Sequence, residues 1–430
     1  MKTRRIITDK RASYGIVAAC WLIYLIAYLT RNTYPASIVH LTDGGLLTPS
    51  DAGLVSTVYF VCYSCGHLIN GFLADRVSPF AMLFIGIGGT AAANLIMPMT
   101  IPAVPAMIAV WAANGYFESM LWAPIVAIQS GMIAPSLRYH AMELISFSSP
   151  IGVITAYLMT ALCTHFGGGI ILTYRISAIL ALMTAVLLAA VSWHAFKKTT
   201  VETVSASTGE TERGSVEESR APTDHPPLFK LLLIGGAMIF TVPVLFHGML
   251  KDGVNTWVPS ILRDTFRTSP SLSTALAILL PLSGLVGVAF ANFLLRCKRL
   301  GHNHPRIGIL IMLLMAIPLA LLLQMKALTL IGGVLCLCLI SMLISTNGHV
   351  FAVMMPTEFA VYGKASTVSG IFNTLIYAGS AISTYTFGVI AERAGWGVTI
   401  AVWLGLALGS AGILTFSVKP WRAFLQNKPQ

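Results

Sequence analysis

Two cations stand inside otherwise apolar runs. Arg31 follows the stretch Ile16 to Leu29 and precedes Asn32-Thr33-Tyr34-Pro35, whereas Lys251 follows Leu231 to Leu250 and precedes Asp252 and Asn255-Thr256-Trp257-Val258-Pro259. Placing Arg or Lys at a bilayer centre costs about 2.5–3.5 kcal/mol even on a lenient insertion scale, so charges at that depth mark substrate paths. Arg offers a planar fork for phosphate or carboxylate, and Lys offers a compact charge. The functional expectation is an anion site with Arg31 and Lys251 facing each other across a central cavity. The plainer alternative is that each snorkels to an interface or pairs within its own bundle. Asp252 adjoins Lys251, but neighbours on a helix point about 100° apart, so these two are not expected to pair.

Other polar residues in the apolar runs extend the candidate site. His67 lies four residues after Tyr63, on one helix face, where an imidazole and a phenol could both serve an anion. The alternative for His67 is a packed, satisfied side chain. Glu118 and Asp252 are the intramembrane carboxylates and the candidate proton sites, although Glu118 could equally be a buried partner of one of the cations. Cys62-Tyr63-Ser64-Cys65 has metal or redox spacing but no second ligand pair, so packing is expected of it. His302 and His304 sit among Arg299 and Arg306, where a solvated face is expected. With no Ser/His/Asp or metal-ligand constellation visible, neither an enzyme nor a bound cofactor or metal is expected.

The elements that position these residues follow from composition. Hydrophobic residues make up 56% of the 430 positions and charged residues only 10%, against roughly 25% charged in globular chains. Mean hydropathy is +0.78, and apolar runs of helical period and about 20 residues recur from Tyr14 to Ser417, the length that crosses a bilayer core. A soluble enzyme, a DNA-binding protein and a single-pass receptor are excluded. The reading is an all-α membrane protein with twelve transmembrane helices, over about 14–40, 53–74, 79–98, 103–130, 141–163, 171–195, 230–260, 272–295, 306–325, 328–354, 365–390 and 396–417. Between the sixth and seventh runs, Lys197 through Asp224-His225-Pro226-Pro227 is rich in Ser, Thr, Glu and Pro and cannot bury a core. It divides the chain into a bundle at 1–196, a cytoplasmic linker at 197–228 and a second bundle at 229–430, a layout suited to a ligand path between two halves.

The net charge of +11 is a matter of loops rather than of nucleic acid, which is not an expected partner. Arg76, Arg138, Lys197, Lys198, Arg296, Lys298, Arg299, Arg306 and Lys364 fall in alternate connections, which places both termini in the cytoplasm. No cleavage-site pattern follows the basic amino terminus, so no signal peptide is expected.

Gly71-Phe72-Leu73-Ala74-Asp75-Arg76 resembles the loop signature of the major facilitator superfamily. Arg31-Asn32, Tyr63 with His67, Ala74 to Pro79, Trp122-Ala123-Pro124, and Lys364 to Trp396 with Gly370, Asn373, Tyr377, Gly379 and Gly395 together resemble the organophosphate:phosphate antiporter family of glycerol-3-phosphate and hexose-phosphate carriers. That resemblance implies the two-bundle major facilitator fold and a phosphate held between basic residues of helices one and seven. Arg31 matches the first of these residues, and Lys251 falls where a second arginine is usual. Tyr63 and Tyr377 match the family's tyrosines of helices two and eleven, and His67 stands in place of a helix-two lysine. Ser149 lies near the position of a helix-five histidine.

The expected function is therefore secondary active transport of an organic anion, a phosphorylated metabolite exchanged for inorganic phosphate by alternating access. Asp75, Arg76 and Arg138 would gate the cytoplasmic mouth, or else simply set topology. The expected partners are the small anion, inorganic phosphate and the lipid bilayer, the chain acting as a monomer in a bacterial cytoplasmic membrane. Three other readings stand beside this one: a proton-coupled carrier of organic carboxylates, a drug efflux pump, and a sugar-phosphate sensor that does not transport.

Overall fold

A backbone in hydrocarbon must satisfy its own hydrogen bonds, so apolar runs of this length fold as helices. A computed structural model describes residues 7, 9–74, 77–133, 137–198, 237–297, 300, 303–359, 362 and 365–427. Asp75, Arg76, His302, Lys364 and the linker beyond Lys198 lie outside the described residues, as does the side chain of Arg138. Before the linker come α1 (Lys10–Asp43), α2 (Pro49–Ala74), α3 (Pro79–Thr100), α4 (Val104–Ser119), α5 (Trp122–Gly131), α6 (Arg138–His165) and α7 (Gly169–Lys198). After it come α8 (Thr241–Phe266), α9 (Pro270–Leu276), α10 (Leu279–Arg296), α11 (His304–Leu323), α12 (Leu330–Gly348), α13 (Ala365–Ala394) and α14 (Trp396–Gln426).

Only Met120 and Leu121 separate α4 from α5, and only Ala277 and Ile278 separate α9 from α10, so each pair is one broken rod. The described helices thus make the twelve spans that hydropathy predicts. Among the described residues, nine helical stretches are long and apolar enough by themselves to cross a membrane. α2, the α4–α5 rod and α8 fall outside that set, and these three carry Tyr59, Tyr63, His67, Asn114, Glu118, Lys251 and Asp252. Side chains such as Met183, Val186, Phe293 and Phe416 are exposed, as lipid-facing positions should be.

The chain divides into two compact units, Met1–His40 with Val58–Glu217 and Leu41–Thr57 with Glu218–Gln430. The first unit buries Ile16, Ile23, Ile87, Ile125, Ile145 and Leu188 in a common core. The second includes the turn joining α1 to α2. Thr57 Oγ1 donates to Ala381 O at 2.6 Å, Arg263 Nη1 reaches Thr42 Oγ1 at 3.2 Å and Asp43 Oδ1 at 3.4 Å, and Ser50 N donates to Glu392 Oε2 at 3.0 Å. Trp396 Nε1 donates to Asp264 Oδ2 at 2.7 Å, just after Gly395 turns the chain at φ 82°. His304 departs from the expectation of a solvated loop. It lies at the start of α11, 3% exposed, 4.0 Å from Glu358 and edge-on to Trp421, because the helix begins two residues before the expected 306 and turns the ring inward.

Without a hydrophobic drive between helices in lipid, small residues set how closely they approach. A β-carbon on Gly152 of α6 would fall 2.4 Å from the Leu25 carbonyl oxygen of α1. One on Gly379 of α13 would fall 2.2 Å from the Leu245 carbonyl oxygen of α8. Arg31 lies six residues beyond Leu25, and Lys251 six beyond Leu245. The same crossing therefore sets the depth of the cation in each unit. Gly152→Ala and Gly379→Ala should each cost about 1–3 kcal/mol through overpacking and lower the melting temperature in detergent. Gly412→Ala, which meets nothing within 4 Å, should not, and equal melting of all three variants would contradict this packing.

Candidate functional site

In the first unit the polar residues converge on one carboxylate. Glu118 of α4, with no side-chain exposure, meets Arg31 of α1, 11% exposed, through Nε at 3.0 Å to Oε2. Tyr59 of α2 donates its hydroxyl to the same oxygen at 2.5 Å. Asn114 Nδ2 donates to Oε1 at 3.1 Å, and Thr30 Oγ1 lies 3.3 Å from it. Hydrogen bonds to a charged acceptor are the stronger ones, so this donor set favours the ionised carboxylate. Asn114 and Glu118 are spaced i, i+4 on α4, and Tyr59, Tyr63 and His67 i, i+4, i+8 on α2, so each helix presents its polar stripe on one face.

Arg31 is engaged through Nε. Its Nη1 and Nη2 carry no hydrogen bond among the described residues, while three tyrosine rings surround the guanidinium carbon at 4.7 Å (Tyr28), 5.6 Å (Tyr59) and 4.3 Å (Tyr63). Each such cation–π contact is worth about 0.5–2 kcal/mol. Tyr63 meets His67 edge-on at 4.4 Å, and Tyr28 meets Tyr24 at 5.1 Å. Tyr24 in turn lies 4.9 Å from Trp122, so Trp122 at the start of α5 braces the cradle from behind. Pro35 removes the amide that would bond the Arg31 carbonyl in a continuous helix.

In the second unit Lys251 and Asp252 do pair, contrary to the sequence expectation, with Nζ 3.4 Å from Oδ2 and side chains 38% and 16% exposed. The divergence of neighbouring Cβ bonds is real, but the four-carbon lysine stem swings its head back over the carboxylate. Ser380 of α13 also donates to Asp252 Oδ2 at 2.5 Å. Lys251 Nζ stands 5.4 Å from the centre of the Tyr377 ring. A cavity of about 300 Å³ opens beside these groups, and Lys251, Asn255, Asn373 and Tyr377 line it together with His247 and Ser345.

Two features escaped the sequence reading although spacing could have supplied them. His247, Lys251 and Asn255 are at i, i+4 and i+8 on α8, and Asn373 and Tyr377 at i, i+4 on α13. The structure thus brings Arg31, Tyr63, His67 and Glu118 together in one unit, and Lys251, Asp252 and Tyr377 in the other. Ser149 is half-buried on α6, and no described interaction joins it to the Arg31 group.

The model of the Major Facilitator Superfamily matches residues 20–384. The chain belongs to this superfamily and is a multi-pass membrane protein. It is 28% identical over 103 residues to the membrane sensor protein UhpC of Salmonella typhimurium, spanning 24% of this chain and only 23% of the sensor. It is 21% identical over 424 residues to a probable hexose phosphate transport protein of Chlamydia muridarum, covering 94% of this chain and 90% of that one. Those two likenesses bear out the resemblance to organophosphate carriers read from Arg31, Tyr63 and Tyr377. The solved structure of a nucleoside transporter NupG variant matches 94% of this chain and 99% of its own with a TM-score of 0.68 at 14% identity, a likeness of fold alone.

Because the guanidinium and carboxylate are buried together, removing one strands the other, at a cost of about 3–5 kcal/mol for such pairs. Glu118→Gln should therefore lower unfolding stability markedly, and the double variant Arg31→Gln/Glu118→Gln should be less damaged than Glu118→Gln alone. A strictly additive cycle measured by thermal unfolding would refute the pairing.

Proposed function

We propose that the protein is a secondary active transporter that exchanges a phosphorylated metabolite for inorganic phosphate by alternating access. The observation that carries this reading is the mode of pairing at Arg31. Glu118 takes Nε and leaves the two-nitrogen edge of the guanidinium available to an anion, the geometry that suits bidentate phosphate recognition. Lys251, held by the same crossing in its own unit, supplies a second cation, and Tyr63, Tyr377 and His67 line the two groups as hydrogen-bonding and ring contacts. The likeness to a hexose phosphate transport protein over 94% of the chain supports a phosphorylated substrate.

Charge accounting favours exchange over uniport. Arg31 with Glu118 is neutral, and so is Lys251 with Asp252, so an anion brings its own net charge into a low-dielectric site. Swapping one phosphate-bearing anion for another leaves that charge unchanged through the cycle, whereas one-way movement does not. Asp75, Arg76 and Arg138 are assigned to the cytoplasmic mouth and both termini to the cytoplasm. The layout of basic loops supports that orientation, in a bacterial cytoplasmic membrane.

A proton-coupled carboxylate carrier is the second reading, and one observation narrows it. Glu118 is dry and saturated with donors, so a transported proton would use Asp252, which is 16% exposed beside the cavity. Drug efflux fits poorly, because both carboxylates are committed to cations.

Proteoliposomes loaded with inorganic phosphate should take up labelled phosphate or a sugar phosphate by counterflow, and Arg31→Ala and Lys251→Ala should each lower that exchange by about a hundredfold, as for loss of a charged contact worth 2–5 kcal/mol. Uptake driven by a pH gradient regardless of internal phosphate would overturn the exchange reading. Binding of sugar phosphate without flux would identify a sensor.

A further inference from the structure

The rod formed by α4 and α5 breaks at Met120 and Leu121, just after Glu118 and just before Trp122. The carboxylate that holds Arg31 and the ring that braces its cradle thus stand on opposite sides of one turn. Met120 N bonds Phe117 O and Leu121 N bonds Glu118 O, both at 3.1 Å, three residues back rather than four. The turn is tightened to the 3₁₀ pattern, and Tyr116 O loses the donor that Met120 N would supply in a continuous α-helix. The Ser119 hydroxyl takes that place, donating to Tyr116 O at 2.6 Å. Asn70 of α2 then donates through Nδ2 to Ser119 Oγ at 2.7 Å.

This tie between α2 and the break is dry. Asn70 and Ser119 are fully buried, and a β-carbon on Gly66, one turn before Asn70, would fall 2.2 Å from Ser119 Oγ, so α2 has no room for a larger residue there. Asn70 Oδ1 has no hydrogen-bond partner among the described residues. A buried amide with an unmet acceptor is costly, and an apolar side chain would fill the same space without that cost, so what recommends an amide here is the bond that Nδ2 makes. Glu118 needs the support. It is the last residue but one of α4, and the end turn of a helix lacks part of its hydrogen-bond ladder and frays. Asn114, Thr30 and Tyr59 fix the carboxylate oxygens, whereas the Asn70–Ser119 bond fixes the backbone that carries them. Gly66 and Asn70 lie three residues beyond Tyr63 and His67, so α2 carries the site on one ridge and the tie on the next.

We propose that Ser119, tied by Asn70, is a positioning residue for the anion site: it holds the end of α4 so that Glu118 takes Arg31 through Nε and leaves Nη1 and Nη2 to the anion. The proposal rests on the reading of Arg31 as the anion-binding group, and the experiment keeps the two apart. Equilibrium binding of labelled inorganic phosphate to the detergent-solubilised protein is compared among wild type, Ser119→Ala, Asn70→Leu, Arg31→Lys and the double variant Ser119→Ala/Arg31→Lys. Ser119→Ala and Asn70→Leu should each weaken binding about tenfold, within the coupling found inside one hydrogen-bond network. Once Arg31→Lys has removed the two-nitrogen edge, Ser119→Ala should change binding by less than about twofold. An equal factor in both backgrounds is what a merely structural role would give and overturns the proposal, as does unchanged binding by the single variants. If wild type binds no phosphate, the anion reading fails, and thermal unfolding then tests the positioning of Glu118 by itself; it also decides where Arg31→Lys binds too weakly to measure. Ser119→Ala should lower the melting temperature of wild type at least about twice as far as that of Glu118→Gln, which has no ion pair to hold. Equal lowering overturns the proposal.

Discussion

A guanidinium cannot shed its proton in a protein, so a chain that buries Arg31 inside a lipid-embedded bundle must supply the opposite charge there. Glu118 supplies it, and much of the first unit follows from that requirement. Glu118 has to be dry to be useful at short range, so its remaining lone pairs need donors, and Tyr59, Asn114 and Thr30 are where those donors come from. The tyrosine faces around Arg31 spread its charge without adding another carboxylate. The resulting group is neutral as a whole, and Nη1 and Nη2 of the guanidinium carry no hydrogen bond among the described residues.

The second unit meets the same constraint with weaker chemistry. Lys251 lies six residues past its helix crossing, as Arg31 does past its own, but its partner is its own neighbour, and the pair is more exposed. A lysine on a flexible stem with a nearby carboxylate is easier to recruit than a locked arginine. One cation is thus held by a dry carboxylate, and the other stands at the edge of a cavity of about 300 Å³. The turn between α1 and α2 belongs to the second unit and is tied within it through Thr42, Ser50 and Thr57.

The sequence reveals much of this because lipid makes charge conspicuous. Arg31 and Lys251 stand out within apolar runs, and Tyr63, His67 and Glu118 stand out for the same reason. Which partner Arg31 takes is not readable, since Thr30, Arg31, Tyr59 and Glu118 lie on three helices whose rotation depends on small-residue contacts such as Gly115 against Tyr59. The Lys251–Asp252 pair is not legible from helix geometry, because the lysine side chain is long enough to override the divergence of neighbouring Cβ bonds. His247 and Asn373 are missed because single polar residues look ordinary until their spacing to Lys251 and Tyr377 is counted. His304 reads as loop because helix starts are uncertain by a few residues, enough to move a ring from solvent to core.

The central claim is that the open edge of the Arg31 guanidinium, with Nε held by Glu118, is what grips the anion. The most direct measurement is equilibrium binding of labelled inorganic phosphate to the detergent-solubilised protein, comparing wild type with Arg31→Lys. The substitution keeps the charge but cannot hold Glu118 with one nitrogen while offering two to phosphate, so binding should weaken by about tenfold or more, as for loss of a charged hydrogen bond. Undiminished phosphate binding by Arg31→Lys would show that charge alone suffices and would contradict the account.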